Sequence, residues 1–183
     1  MPKIADARVL ILATDGFEQS ELEVPRDRLR EAGATVELAS PDGNAIRGWQ
    51  DGDWGQVVEA DLALSSADAS DYDALVLPGG QINPDNLRTE AGAVDLVRRF
   101  HDGGKIVAAI CHGPWLLVEA DVVRGSKVTS YKSIRTDLVN AGGDWSDRQV
   151  VIDGPLVTSR SPDDLDAFCN AILAGLEGGG GQG

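Results

Sequence analysis

Five short runs of β-branched and aliphatic residues alternate along the chain with stretches whose apolar positions recur at helical spacing. That alternation predicts a parallel sheet covered by helices. The run Arg8–Ala13 is apolar without a break from Val9, as expected of a strand buried on both faces. Glu18 to Ala32 follows with a helical pattern closed by Gly33, and Pro25 inside it predicts a kink or a late start. Thr35–Ala39 reads as the second strand, ended by Pro41-Asp42-Gly43. Ala45–Ala60 departs from the pattern. Gly48, Gly52 and Gly55 are interleaved there with Trp49 and Trp54, which predicts a small β-hairpin outside the main sheet. Its tryptophans would serve as hairpin packing or interface anchors rather than as a ligand stack.

The alternation then resumes. Tyr72–Leu77 is a strand running into Pro78-Gly79-Gly80, and a helix from Thr89-Glu90 to Asp102 stops at Gly103-Gly104. Lys105–Ile110 is another buried strand, with Gly113–Ala120 a helix behind it. Lys127–Thr129 opens a further strand, and Ser133 precedes a helix to Ala141. Val150–Ile152 and Leu156–Ser159 flank Asp153-Gly154, a hairpin signal. Ser161-Pro162-Asp163-Asp164 opens the last helix. The fold class expected is α/β, one domain over 1–177, with 178–183 a flexible Gly-rich tail.

Composition narrows the setting. Of 183 residues, 30 are Asp or Glu and 16 are Lys or Arg, a formal charge of −14, which disfavours a broad nucleic-acid face. Two readings of the acidity stand: an ordinary solvated surface, or adaptation to a salty cytoplasm. The longest apolar runs, Val9–Ala13 and Ile106–Cys111, fall far short of the ~20 residues of a membrane span. The N-terminus lacks the apolar stretch of a secretory signal. Two cysteines make no disulfide framework, so a reducing cytoplasm is the expected location.

Sites in open α/β sheets form at the carboxyl ends of strands. Three such ends carry reactive or special residues here: Asp15–Glu21, Pro78-Gly79-Gly80 and Cys111-His112-Gly113. A cysteine between a buried strand and a helix occupies a nucleophile elbow, and a helix N-terminus beside it would lower its pKa. The competing reading is a buried structural cysteine. Placed beside the elbow, Gly79 and Gly80 would offer backbone N–H groups to an oxyanion together with that of His112; otherwise they serve a tight turn. Glu18 and Glu21 share one helix face, where carboxylates serve as caps. If Glu21 instead meets the sulfur of Cys111, burial should keep it protonated and a hydrogen-bond donor. His112 is the only histidine placed to act as a base in the same chain; His101 is a surface cation and Cys169 plain core. No ligand spacing marks a metal site.

The segments Ala74–Gly80, Ala109–Pro114, Thr129–Tyr131, Asn140–Gly142, Val150–Gly154 and Thr158–Arg160 occur in order. With Asp15–Glu21 they resemble the PfpI (intracellular protease I) family of the ThiJ/PfpI superfamily, over roughly residues 7 to 176. The resemblance implies a flavodoxin-like three-layer sandwich with a mostly parallel central sheet, related to class I glutamine amidotransferases. It implies that Cys111 is the nucleophile, His112 its neighbour, Glu21 the glutamate bonded to the cysteine, and Glu18 near it. In the family the acid orienting the histidine comes from the adjacent subunit; Asp85, in Gln81–Asn86, falls where the archetype has glutamate. A homodimer or homohexamer is implied. So is a stress-response enzyme working without cofactor, a glyoxalase or deglycase acting on methylglyoxal, glyoxal or their protein adducts. A cysteine peptidase, or a non-enzymatic oxidative-stress sensor or chaperone working through Cys111, is the alternative.

Overall fold

A computed structural model describes residues 4–178; residues 179–183 of the expected tail lie outside it. Gly178 is not part of that tail but the last residue of the terminal helix.

The central sheet has seven strands in the order β11-β12-β8-β7-β1-β3-β6. They are β1 (Arg8–Leu12), β3 (Thr35–Ser40), β6 (Leu62–Ala63), β7 (Ala74–Leu77), β8 (Ile106–Ile110), β11 (Val150–Asp153) and β12 (Leu156–Ser159). All neighbours are parallel except the β11–β12 hairpin, which closes one edge. Successive side chains of a strand point to opposite faces, so each unbroken apolar run supplies two cores at once. Leu10, Leu12, Leu75, Leu77, Val107 and Ala109 enter one core. Val9, Ile11, Ala74, Val76, Ala108 and Ile110 enter the other. Helix α3 (Ala91–Asp102) covers the first face with Ala93, Val94, Leu96, Val97 and Phe100. Helices α1 (Gln19–Glu31) and α6 (Leu165–Gly178) cover the second, with Leu22, Leu29, Phe168 and Ile172 fully buried. This is the expected three-layer α/β sandwich. No helix of the described residues is long and apolar enough to cross a membrane.

The departures from expectation have local causes. Helix α1 begins at Gln19 because Phe17–Glu18 form a short strand, β2, beside β4 (Ile46–Gln50). It runs on through Pro25, which is buried with Leu22 and Leu29 on the core face; packing outweighs the lost N–H. The expected hairpin is present as β4 and β5 (Asp53–Val58), in a three-stranded sheet with β2. Its turn places both Asp51 (φ 52°) and Gly52 (φ 82°) in the left-handed region, as a two-residue type I′ hairpin loop requires. Gly48 and Gly55 are needed for another reason. The buried Gln19 side chain lies across them, accepting from the Gln56 N–H, and a Cβ at either would collide with it.

The segment after Gly80 forms a short helix, α2 (Ile82–Leu87). Asn83-Pro84-Asp85 reads locally as a turn, yet proline is tolerated in a first helical turn, where its missing N–H has no partner to lose. Lys127–Val128 (β9) pairs only with Asp144–Trp145 (β10), outside the central sheet, because β12 already occupies the edge of β8. Helix α4 is shorter than expected, Trp115–Glu119 instead of Gly113–Ala120. The helix expected after Ser133 is α5 (Arg135–Asn140), entered through a single tight turn over Lys132–Ile134.

Candidate active site

The carboxyl ends of β1, β7 and β8 converge on one pocket of about 320 Å³. The buried residues Cys111, His112 and Glu21 line it together with Glu18, Gly80, Ile82, Trp49, Tyr131 and Pro162.

Cys111 follows β8 directly and has φ 64°, a left-handed conformation that costs a β-carbon-bearing residue roughly 1–2 kcal/mol. Two long-range backbone bonds hold it there. Its N–H donates to Ser159 O at 3.0 Å, and its carbonyl accepts from Tyr131 N–H at 2.9 Å. The turn has the geometry expected of a nucleophile elbow: the strained residue presents its side chain to the pocket while the chain reverses. Gly113 permits the reversal, since a Cβ there would sit 2.6 Å from the carbonyl oxygen of Leu77.

Glu21 is fully buried, and its Oε2 accepts from the Gly79 N–H at 2.8 Å. Its other oxygen has no N–H or O–H partner, and the carboxyl interacts with the Cys111 thiol. Burial pushes its pKa up to about 8, the Gly79 N–H opposes this, and the neighbouring Glu18 charge adds to it. At neutral pH Glu21 is therefore an acid with a proton to give. Gly79 spends its N–H on Glu21, so of the three amides expected at an oxyanion site, those of Gly80 and His112 are the two directed at the sulfur.

The thiol differs from expectation. A lowered pKa was anticipated from a helix dipole, but α4 begins four residues beyond Cys111 and is only five residues long. Burial instead pushes the thiol well up, and negative charge on Glu21 would push it further; the Gly80 and His112 N–H groups oppose both. Cys111 therefore rests as a thiol, needing a base when it reacts. The nearest nitrogen is His112 Nδ1, 3.2 Å from the sulfur, and burial lowers the pKa of that ring, keeping it neutral. The ring stacks on Tyr131 at 4.8 Å between centroids and meets Trp115 edge-on at 5.1 Å.

Glu18 is half-buried at the start of α1, its pKa raised by burial and by Asp51. Asp85 stands exposed on α2, outside the pocket of its own chain; within that chain the far nitrogen of His112 meets Ser133 Oγ at 3.1 Å. His101 pairs with Asp102 near the end of α3, and Cys169 is fully buried on α6. Among the described residues, no group of three or more His, Cys, Asp or Glu is arranged to hold a metal ion.

Several contributors had no individual signal in the sequence. Trp49 reaches the pocket because β4 pairs with β2; it also packs edge-to-face on Trp54 at 5.4 Å, the hairpin role expected of it. Asn83 is completely buried: its Oδ1 accepts from Thr14 N–H at 2.8 Å, and its Nδ2 donates to the carbonyls of Pro78 and Gly79. It ties the Pro-Gly-Gly turn to the end of β1. That turn leaves no room for a side chain. A Cβ on Gly79 would lie 2.5 Å from Glu21 Oε2, 2.6 Å from Cys111 Cβ and 2.7 Å from Ile110 O. Gly79→Ala should cost about 1–3 kcal/mol or more in urea unfolding; a change under a few tenths would show that the turn is looser than described.

The DJ-1/PfpI family profile matches residues 7–175. A deglycase of Pyrococcus abyssi is 46% identical over 166 residues, covering 91% of this chain and 97% of the relative. A putative cysteine protease of Bacillus subtilis, YraA, is 41% identical over 162 residues, covering 88% and 93%. Among solved structures, Drosophila melanogaster DJ-1beta superposes with a TM-score of 0.85 at 34% identity, covering 94% of this chain and 91% of that one. Sequence and fold agree along nearly the whole length, and this chain belongs to the DJ-1/PfpI family.

Proposed function

We propose that this chain is a cysteine-dependent enzyme that converts small 1,2-dicarbonyls such as methylglyoxal, or their early adducts on amines, to hydroxy acids. The observation that carries the reading is the Cys111 sulfur held 3.2 Å from His112 Nδ1, beside a buried, protonated Glu21, in a pocket sized for a small molecule. That relatives of similar length are named deglycases supports it.

The chemistry uses only these groups and water. Sulfur attacks the aldehyde carbon as the thiol proton passes to His112 Nδ1. The carbonyl π pair moves to oxygen, which takes the Glu21 proton, leaving a hemithioacetal. The Glu21 carboxylate then removes the proton from that carbon, and the imidazolium protonates the adjacent carbonyl oxygen, giving an enediol. Return of the Glu21 proton to the second carbon, with loss of the first hydroxyl proton to His112, gives a thioester of the hydroxy acid. Water attacks the thioester while Glu21 takes a proton from it and the imidazolium reprotonates the departing sulfur. The sum is dicarbonyl plus water to hydroxy acid. An amine adduct enters the same sequence when sulfur displaces the amine, which leaves with the thiol proton. The Gly80 and His112 N–H groups, bonded to the sulfur at rest, are the donors we assign to the oxygen that gains negative charge in the first step.

Assays with methylglyoxal and with a fluorogenic peptide test the reading. Lactate formation without peptide cleavage is the expected result. Peptide cleavage without lactate would favour the peptidase activity that the Bacillus subtilis relative's name suggests.

A further inference from the structure

His112 is a nearly buried imidazole with both ring nitrogens engaged: Nδ1 at 3.2 Å from Cys111 Sγ and Nε2 at 3.1 Å from Ser133 Oγ. We propose that Ser133 is the positioning residue of His112, its hydroxyl accepting the Nε2–H so that a bare Nδ1 faces the thiol. Cys111, His112 and Ser133 then form a hydrogen-bonded chain complete within one subunit. This rests on the cysteine chemistry proposed above and adds the group that makes His112 a competent base.

The direction of the hydrogen bonds follows from the sulfur. Cys111 Sγ already accepts from the amides of Gly80 and His112, and Glu21, held protonated by burial, keeps its proton beside the sulfur on an oxygen with no other partner. A resting thiol must also place its own proton; with Glu21 protonated and its other oxygen taken by the Gly79 N–H, the bare Nδ1 at 3.2 Å is the acceptor. A neutral imidazole with a bare Nδ1 carries its proton on Nε2, and that N–H points at Ser133 Oγ. The serine hydroxyl has the lone pairs to accept it. Exposed on the turn before α5, Ser133 can turn its own hydrogen to solvent. Stacking on Tyr131 and the edge contact with Trp115 restrict the ring's tilt, but neither ring face fixes which nitrogen holds the proton. Only a group in the ring plane does that, and Ser133 is that group. When Nδ1 takes the thiol proton, the Nε2–H···O bond strengthens, because the donor has become cationic.

A neutral acceptor does this less forcefully than a carboxylate, which gives the proposal its sharpest test. The titratable groups sharing the His112 pocket are Cys111, Glu21, Glu18 and Tyr131, and none of them changes in the variants. Because Ser133 is exposed on a single turn, substitution there should leave the fold intact. Ser133→Ala, Ser133→Thr and Ser133→Asp are prepared with Asp85→Ala as comparison. The chain has only two histidines, so ¹⁵N-detected titration resolves the His112 ring against His101 in every variant. Expected is a lower His112 pKa in Ser133→Ala, recovery in Ser133→Thr, and a rise of about one pH unit or more in Ser133→Asp. Turnover of methylglyoxal should fall about tenfold in kcat for Ser133→Ala, KM holding, and recover in Ser133→Thr. Unchanged His112 titration and kcat in both Ser133→Ala and Ser133→Asp would overturn the proposal. So would loss on Asp85→Ala with none on Ser133→Ala, which would hand the role to the acid of a neighbouring subunit. The titration needs no substrate, so an enzyme inactive on methylglyoxal would refute the proposed reaction without touching this test.

Discussion

Cys111→Ala should lower turnover of methylglyoxal by a thousandfold or more, roughly the loss seen when a covalent nucleophile is removed. No other side chain in the pocket can form the carbon–sulfur bond, and the second cysteine is buried on α6. Stability should change by less than about 1 kcal/mol, because the side chain is small and alanine inherits the same left-handed backbone at φ 64°. Cys169→Ala is the matched control. It removes a fully buried sulfur from the core and should cost about 1 kcal/mol while leaving kcat where it was. Rates of lactate formation and urea unfolding of both variants check the pair. Full activity in Cys111→Ala, or its loss in Cys169→Ala, would overturn the elbow assignment.

The second large effect belongs to Glu21→Gln, in stability and in rate. In the folded chain burial holds the carboxyl proton up to about pH 8, whereas the unfolded chain releases it near its ordinary value of 4.5. Between those values the native state binds more protons than the unfolded one. Native stability therefore falls as pH rises across that window and levels off above about 8. Expressed in full, the loss is on the order of 3–5 kcal/mol. Glutamine does not titrate, can accept from the Gly79 N–H as Glu21 does, and can still donate to the sulfur. The variant should match the wild type near pH 4.5 and exceed it by a growing margin toward pH 8. Urea midpoints measured across that range would refute the buried-acid picture if the two curves ran parallel. The same amide cannot shuttle protons, so kcat should fall by about 10²–10⁴, the usual contribution of a general acid or base. The wild type should lose rate as pH rises past about 8, where Glu21 gives up its proton, and the variant should not show that fall. Alkylation of Cys111 gives an independent reading: rates identical across pH in both proteins would mean that Glu21 and the thiol do not interact.

Much of the architecture was legible from residues a few positions apart. The apolar run of β8 followed by Cys-His-Gly-Pro predicts an elbow, because a buried strand that ends in turn-forming residues must reverse there. The β4–β5 and β11–β12 hairpins follow equally from turn residues between apolar runs. Where local signals conflicted with packing, packing decided. Asn83-Pro84-Asp85 lies in a helix because Asn83 is drawn inside to bond Thr14, Pro78 and Gly79, and Pro25 stays helical because its face is buried. The chemistry was legible only in outline. Cys111 and His112 are adjacent in the chain, but Glu21 reaches Gly79 across 58 positions and His112 reaches Ser133 across 21. The direction of the thiol pKa is not legible in the sequence for the same reason. A strand-to-helix order is a property of neighbouring residues, whereas desolvation of a sulfur depends on every segment packed around it. Periodicity and turn chemistry act over a few residues, and so the sequence by itself determined the layers and the elbow. Burial and hydrogen-bond partners are set by distant segments brought within ångströms, and so only the tertiary structure decided that Cys111 rests as a thiol beside a protonated Glu21.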